Sequence, residues 1–289
     1  MLVIGEIAGN RYLHCRGLIT AILVLLAAVG LGCKPSDVSN SESIEPRSRM
    51  TAESKDFRVV AFDGASAVEE LNKFRAAWND GRPCPFIIGD AEELSRVSEA
   101  ASYADDQNQT LIDVVENSKT IECPRWFQDR KEQSIAESKE YDDEYSFNES
   151  EVFGDWPSQP QVQTSLTAHT DILTGKPKDK VFIGLSAVDR PWQLPAAVRY
   201  GGWNDCPHPA EHCAVLRYWE EKYGAEVVVL SDSVIECIVS KPPLTREEAV
   251  ELAWQQYWYC PDIVEQGTEN VAALAASLLK SNYWYFWWD

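Results

Sequence analysis

The chain carries a run of six aromatic residues, Tyr283 through Trp288, followed by Asp289. In an extended strand successive side chains alternate, so Trp284, Phe286 and Trp288 face one way and Tyr283, Tyr285 and Trp287 the other. A ribbon aromatic on both sides has to be covered on both, which predicts a central core strand. The competing reading is a stacking platform for a sugar or another flat ligand. Either reading requires a sheet, and the remaining pattern has to supply its other strands and the helices that cover it.

FRVVAF at 57–62, the apolar part of GRPCPFIIGD at 81–90, and KVFIGLSAV at 180–188 read as strands. AEVVVLS and VIECIVS, meeting around Ser231 to Ser233, read as a β-hairpin. AVEELNKFRAAW at 67–78 places Val68, Leu71, Phe74, Arg75 and Trp78 at helical spacing, with Arg75 at the edge of the stripe. AEELSRVSEAASY at 91–103 follows Asp90, a suitable N-cap, whereas TLIDVV at 110–115 fits a strand or a short helix. Thr245 and Glu248 form a capping box, opening a helix whose Val250, Ala253, Trp254 and Tyr257 share one face until Pro261 stops it. A further helix, about Glu269 to Leu279, leads into the aromatic run. The fold class is therefore α+β, a mixed α/β arrangement whose C-terminal domain has a β-hairpin, flanking helices and a terminal aromatic strand.

At the other end, Arg11 and Arg16 precede the uncharged apolar run 17–32, which ends at Cys33 and gives way to polar residues. A basic flank, a short apolar stretch and small residues before the break predict an export signal, and the run is short for a permanent span. Leu-Gly-Cys at 31–33 resembles the lipobox of bacterial lipoproteins, although Gly30 departs from its preferred branched aliphatic. The resemblance implies a lipid on Cys33 and an anchor in the cell membrane or outer membrane. The expected layout is a signal peptide at 1–32, a flexible tether at 33–55, a small α/β region at 56–128, an acidic linker or insertion at 129–178, and a further domain at 179–289.

A formal net charge of −20 repels phosphate backbones and anionic headgroups, which excludes nucleic acid as the expected partner. Cationic partners are compatible with it, as is plain solvation. The crowded acids Glu140, Asp142, Asp143 and Glu144 read as solvated, because YDDEYSFNESE lacks calcium-loop spacing.

WNDCPHPAEHC at 203–213 holds two of the four histidines of the chain. Pro209 suits the first position of a helix, making His208 the N-cap and Glu211 the third helical residue, with Gly224 as the left-handed terminator. His212, Val215, Leu216, Trp219 and Tyr223 then share a buried stripe, and Cys213 is rotated away from His212 by about 100°. This spacing is unlike a structural zinc site, so no metal is expected. A Cys206–Cys213 disulfide, or a satisfied core histidine beside small residues, are the readings left open.

Several motifs resemble, in order, the bacterial family described as domain of unknown function 4253: GGWNDCP at 201–207, RYWEEKYGAEVV at 217–228, Pro242-Pro243, CPDIVEQG at 260–267 and WYFWWD at 284–289. RAAW and GRPCPFIIG, within 75–89, are a vaguer likeness. The resemblance implies a shared fold and a shared surface for about 180–289, with no activity, substrate or cofactor attached.

No nucleophile elbow, zinc-protease, phosphate-loop or dinucleotide motif is present, and no cofactor is implied. The expected function is a binding or interaction module at the cell envelope, for a protein or small ligand. Its candidate patch is Trp203, Asn204, Asp262, Gln266 and Gly267, with Gly267 and Asn204 also readable as plain turn residues. One alternative is a hydrolase using His212 with Asp262 or Asp205, Glu265 being a further acid–base candidate. Another is an immunity-like protein that neutralises a basic partner. Asp289 is a candidate partner for Arg199 or Arg217.

Overall fold

The β-branched and aromatic runs form β1 Phe57–Phe62, β2 Cys84–Gly89, β3 Val181–Ser186, β4 Ala225–Leu230, β5 Val234–Val239 and β6 Tyr283–Trp287. This computed structural model describes residues 55–78, 82–106, 109–141 and 147–289. The leader, Cys33, nearly all of the tether, and Asp142, Asp143 and Glu144 lie outside the described residues, as does the side chain of Glu140. The fold is α+β: one mixed sheet in the order β1-β3-β2-β4-β5-β6, antiparallel except where β2 pairs with β4.

The helices are α1 Ala67–Ala77, α2 Ala91–Asp106, α3 Leu111–Ser118, α4 Cys123–Tyr141, α5 Glu149–Phe153, α6 Leu194–Val198, α7 Pro209–Tyr223, α8 Arg246–Tyr259 and α9 Val271–Leu278. Their starts follow local chemistry. Asp90 Oδ1 accepts from the N–H of Glu92 at 2.9 Å, and Thr245 Oγ1 from that of Glu248 at 3.2 Å. Thr110 and Asp113 form a capping box, so TLIDVV is helical. Pro209 opens α7 and Gly224 ends it at φ 60°, as its sequence predicts.

One face of the sheet lies under most of the helices. Trp219 of α7 is its centre, fully buried, stacked on Phe286 at 5.5 Å and on Phe127 at 5.9 Å. Removing an aromatic so enclosed costs about 3–5 kcal/mol. The other face is covered by α1, through Leu71, and by the segment around Leu166. Glu236 of β5, wholly buried, fixes that segment: its carboxylate accepts from the N–H groups of Thr167 and Ala168, from Thr167 Oγ1 and from Gln163 Nε2, all between 2.9 and 3.0 Å. Burial raises the pKa of Glu236, and those four donors oppose it.

Three expectations need correction. The aromatic strand is β6, at the edge of the sheet and not its centre. Its Trp284, Phe286 and Trp288 enter the helical core, while Tyr283, Tyr285 and Trp287 are half-buried on the opposite face, where Tyr283 packs against the cluster that holds Leu71 and Leu166. Residues 129–141 are not linker but the continuation of α4, whose Trp126 and Phe127 anchor it in the core. Phe147 and Phe153 then pack on Trp258 and Trp254, while Ala249, Leu252 and Gln256 bury a second side of α8 beyond the single stripe expected. Finally, the small α/β region and the C-terminal domain share one sheet, because β3 pairs with both β1 and β2.

Among the described residues no helix is long and apolar enough to cross a membrane. Cys84, Cys123, Cys206, Cys213, Cys237 and Cys260 are all buried and free, so the fold stands without a disulfide among them.

Candidate functional site

GGWNDCP connects α6 to α7, and its first two residues are glycine for a physical reason. Gly201 has φ 103°, and a Cβ there would lie 1.9 Å from the Pro207 carbonyl oxygen and 2.7 Å from His212 Nε2. The Gly202 N–H, at φ 89°, donates to Pro207 O at 3.0 Å and closes the loop. Asn204 adopts φ 46° in the turn that Cys206 N–H closes onto Trp203 O at 2.9 Å. The turn reading of Asn204 is therefore correct. It does not hold for Gly267, which has no positive φ and whose Cβ would meet nothing nearer than Asp262 O at 3.7 Å.

Under this loop is a sealed floor. His212 is fully buried, with Nδ1 2.6 Å from Tyr259 Oη and Nε2 3.3 Å from Cys206 Sγ. Tyr200, Tyr259 and Trp288 meet its ring edge-on at 5.1–5.3 Å. Burial pushes the imidazole pKa down to about 3, so the ring is neutral, with one nitrogen donating and the other accepting. Neither nitrogen hydrogen-bonds to Asp205 or Asp262. Cys206 faces His212 and is not bonded to Cys213; both thiols are free, and burial raises both, Cys213 to about 12. His212 is thus the satisfied core histidine, and the Cys206–Cys213 disulfide is not formed.

Above the floor, three distant pieces of chain are stitched together. CPDIVEQG forms a π-helical turn over Ile263–Thr268, a distortion that is rare and concentrated at functional sites. Asp262, at its start, accepts from Gln266 Nε2 through Oδ1 and from the Asp289 N–H through Oδ2, both at 3.1 Å. Asn204 Nδ2 donates to Asp289 O at 2.5 Å. Asn204, Asp289, Asp262 and Gln266 therefore form one hydrogen-bonded chain at the surface. Trp203, half-buried in the same loop, stands edge-on to Tyr200 at 5.0 Å.

The face is acidic. Asp205 and Asp262 both press on Glu265, whose pKa rises first from burial of its carboxyl and then from those two charges, against the lowering bond from Tyr257 Oη at 3.1 Å. Asp289 pairs with neither Arg199 nor Arg217: Arg199 is held by Asp56 at 2.8 Å and Arg217 lies over Trp192. Among the described residues no three His, Cys, Asp or Glu side chains are placed to hold a metal ion.

Sequence reasoning missed the supports. Arg130 of α4 donates to Asp205 O at 3.1 Å, and Trp126 Nε1 donates to Glu211 Oε1 at 2.7 Å, while Glu211 Oε2 caps α7 at the His208 N–H. Nothing local marks Arg130, which sits in a segment read as linker. Tyr200 and Tyr259 adjoin the motifs and Cys260 opens one of them, so their position is a usable signal. Cys260 Sγ donates to Trp287 O at 3.0 Å and ties the π turn to β6.

Residues 182–289, the C-terminal part of the chain, match the model of the family described as Domain of unknown function (DUF4253). The match runs from β3 to Asp289 and leaves β1, β2 and the first five helices outside it. No curated protein and no solved structure matches the chain.

Proposed function

We propose that the protein is a binding module of the cell envelope, exported and held by a lipid on Cys33, whose contact face is the acidic surface of Trp203, Asn204, Asp262, Gln266 and Asp289. It takes a cationic group on a partner protein. One observation carries this reading: the hydrogen-bonded chain from Asn204 through Asp289 and Asp262 to Gln266, which joins three separated motifs into a single surface. The hydrolase reading would need His212 within reach of solvent and a carboxylate, and its two nitrogens are instead used by Tyr259 and Cys206 inside the core. Net charge of −20 favours a basic partner and fast, salt-sensitive encounter.

Immobilised wild type and an Asp262→Asn/Gln266→Ala double variant, challenged with envelope extract, test the face. Proteins retained by the wild type at low salt are expected to be lost from the variant and on raising the salt. Identical retention on both surfaces refutes the face, and salt-insensitive retention refutes its electrostatic basis. Mass spectrometry of the mature N-terminus tests the anchor; an unmodified Cys33, or a start elsewhere, refutes it.

A further inference from the structure

Outside the family match, the chain between Leu166 and β3 makes one excursion that takes no part in the core. Thr170 and Pro177 bridge across its base, and every residue from 171 to 177 is exposed. Ile172 and Leu173 stand at its tip, 88% and 90% exposed. The other exposed large apolar side chains among the described residues, Tyr103, Ile112, Val162 and Leu244, occur singly along the sequence, which a soluble surface tolerates. Two adjacent aliphatic side chains held almost wholly in water do nothing for the fold.

The excursion is nevertheless built, from tip to base. Asp171 Oδ1 accepts from the Thr174 N–H at 2.7 Å and from Thr174 Oγ1 at 2.8 Å, and Gly175, at φ 66°, turns the chain back. The Asp171 N–H then donates to Lys176 O and the Gly175 N–H to Asp171 O, both at 2.8 Å. Lys178 fixes the base: its N–H donates to His169 O at 2.9 Å, its carbonyl accepts from the Gly64 N–H at 3.1 Å, and its Nζ reaches Glu93 Oε2 at 2.5 Å. A Cβ at Gly64 would lie 2.1 Å from Lys178 O, so that close approach requires glycine. The turn therefore stands on a fixed foot with its apolar pair directed into solvent. Its charge also departs from that of the whole chain. Residues 156–180 hold Lys176, Lys178 and Lys180 against Asp171 and Asp179, in a protein of net charge −20, and Lys176 and Lys180 are exposed.

We infer that this turn dips into a phospholipid bilayer, Ile172 and Leu173 entering the acyl boundary while Lys176 and Lys180 stay at the level of the phosphates. A fluid bilayer accepts a single apolar knob without a matching pocket. A stable protein interface instead takes about 800 Å² from each partner, with a polar rim around an apolar centre, and a turn exposed along its whole length supplies neither. Charge agrees with this choice. An approach led by the lysine-bearing turn meets less repulsion from anionic headgroups than one led by the acidic face, and beyond about 8 Å salt screens the rest. The contact is separate from any lipid on Cys33 and from the partner proposed for the acidic face.

The test is a polarity-sensitive fluorophore on Leu173→Cys in the full chain carrying Cys15→Ser and Cys33→Ser. The remaining six cysteines are buried, so the label goes to the tip, and without Cys33 the result is independent of the anchor. Vesicles of phosphatidylethanolamine and phosphatidylglycerol are expected to shift the emission to the blue and raise it saturably. The same label on Glu247→Cys, an exposed position at the start of α8, is expected to stay unchanged. Adding Ile172→Asp, which leaves the core untouched, is expected to weaken the response about tenfold or more, the loss that follows from keeping one large aliphatic side chain in water. Lys176→Glu with Lys180→Glu is expected to weaken it about fivefold or more on these vesicles. No response at the tip, an equal response at position 247, or a response indifferent to Ile172→Asp or to the lysine variant overturns the inference. A response to membrane-free envelope extract and not to vesicles would assign the turn to a protein partner and overturn it as well.

Discussion

Substituting Gly201 by alanine probes the packing that holds the proposed contact face. The new methyl would lie 1.9 Å from Pro207 O and 2.7 Å from His212 Nε2, and neither neighbour is a flexible side-chain end: one is backbone, the other a ring fixed by Tyr259 and Cys206. Its φ of 103° adds strain for any L side chain, about 1–3 kcal/mol. Forcing the loop away from the ring adds about 1–3 kcal/mol of overpacking. The sum, roughly 2–6 kcal/mol, is a large share of a typical 5–15 kcal/mol of folding stability. Gly175 is the control: its φ is 66° but a Cβ there meets nothing within 4 Å, so alanine costs only the left-handed term, roughly 1–2 kcal/mol. Gly202 falls between them, because its nearest contact, His208 Nδ1 at 3.0 Å, belongs to an exposed side chain that can move. Urea unfolding followed by far-UV circular dichroism reads the three midpoints, with the slope checked for constancy. The expected order of loss is Gly201→Ala, then Gly202→Ala, then Gly175→Ala. If Gly201→Ala unfolds no earlier than Gly175→Ala, the loop is not packed against His212 as described.

The remaining predictions use the same assay or a chemical one. His212 has a folded pKa depressed to about 3 from 6.5, so the unfolded chain takes up a proton first as pH falls; its stabilising contribution is whole above 6.5 and is lost progressively down to about 3. Between pH 7 and pH 5 the wild type is expected to lose on the order of 2 kcal/mol that His212→Gln does not, and equal losses would show that the ring is not buried neutral. Glu236→Gln removes a carboxylate that accepts from the N–H groups of Thr167 and Ala168, so it is expected to cost about 1–3 kcal/mol and to speed proteolysis between 160 and 178; unchanged cleavage counts against the clamp. Iodoacetamide is expected to spare Cys84, Cys123, Cys206, Cys213, Cys237 and Cys260 in the native protein and to alkylate all six in urea without reductant. A Cys206–Cys213 cross-linked peptide in that digest would contradict the free thiols.

Much of the local structure was legible because it is written in short-range chemistry. The N-cap at His208, Pro209 at the first helical position, the Thr245–Glu248 box and the hairpin around Ser231 to Ser233 are each decided within a few residues. The buried stripe of α7 was equally readable, as were Asn204, Asp262 and Gln266 as companions, because turn and polar residues inside dense aromatic motifs ask for an explanation. What was not legible depends on long-range partners. The aromatic run cannot announce that β6 is an edge, since strand order is set by the crossover from β2 to β4. Phe147 and Phe153 sit among acids and look solvated until α8 turns Trp254 and Trp258 toward them. Arg130 carries no local mark at all; its meaning comes from a carbonyl supplied by the loop before α7.

The edge position of β6 connects stability to the proposed contact face. An edge strand leaves one row of backbone groups open to pairing with another chain, and an aromatic one is the more adhesive for it. Here both ends of that row are held from within: Trp287 O accepts from Cys260 Sγ, and Tyr283 O accepts from Ser281 Oγ at 2.9 Å. Cys260 and Pro261 lead directly into the π turn, which packs on β6 and presents Asp262 and Gln266 outward. The segment that guards the edge is therefore the segment that builds the surface. Asp262 also accepts from the N–H of Asp289, just beyond β6, so displacing the strand would pull on the same carboxylate that orients Gln266. A ligand gripping Asp262 would in turn brace the strand, and by linkage it would stabilise the fold in proportion to how much tighter it binds the closed edge than the open one.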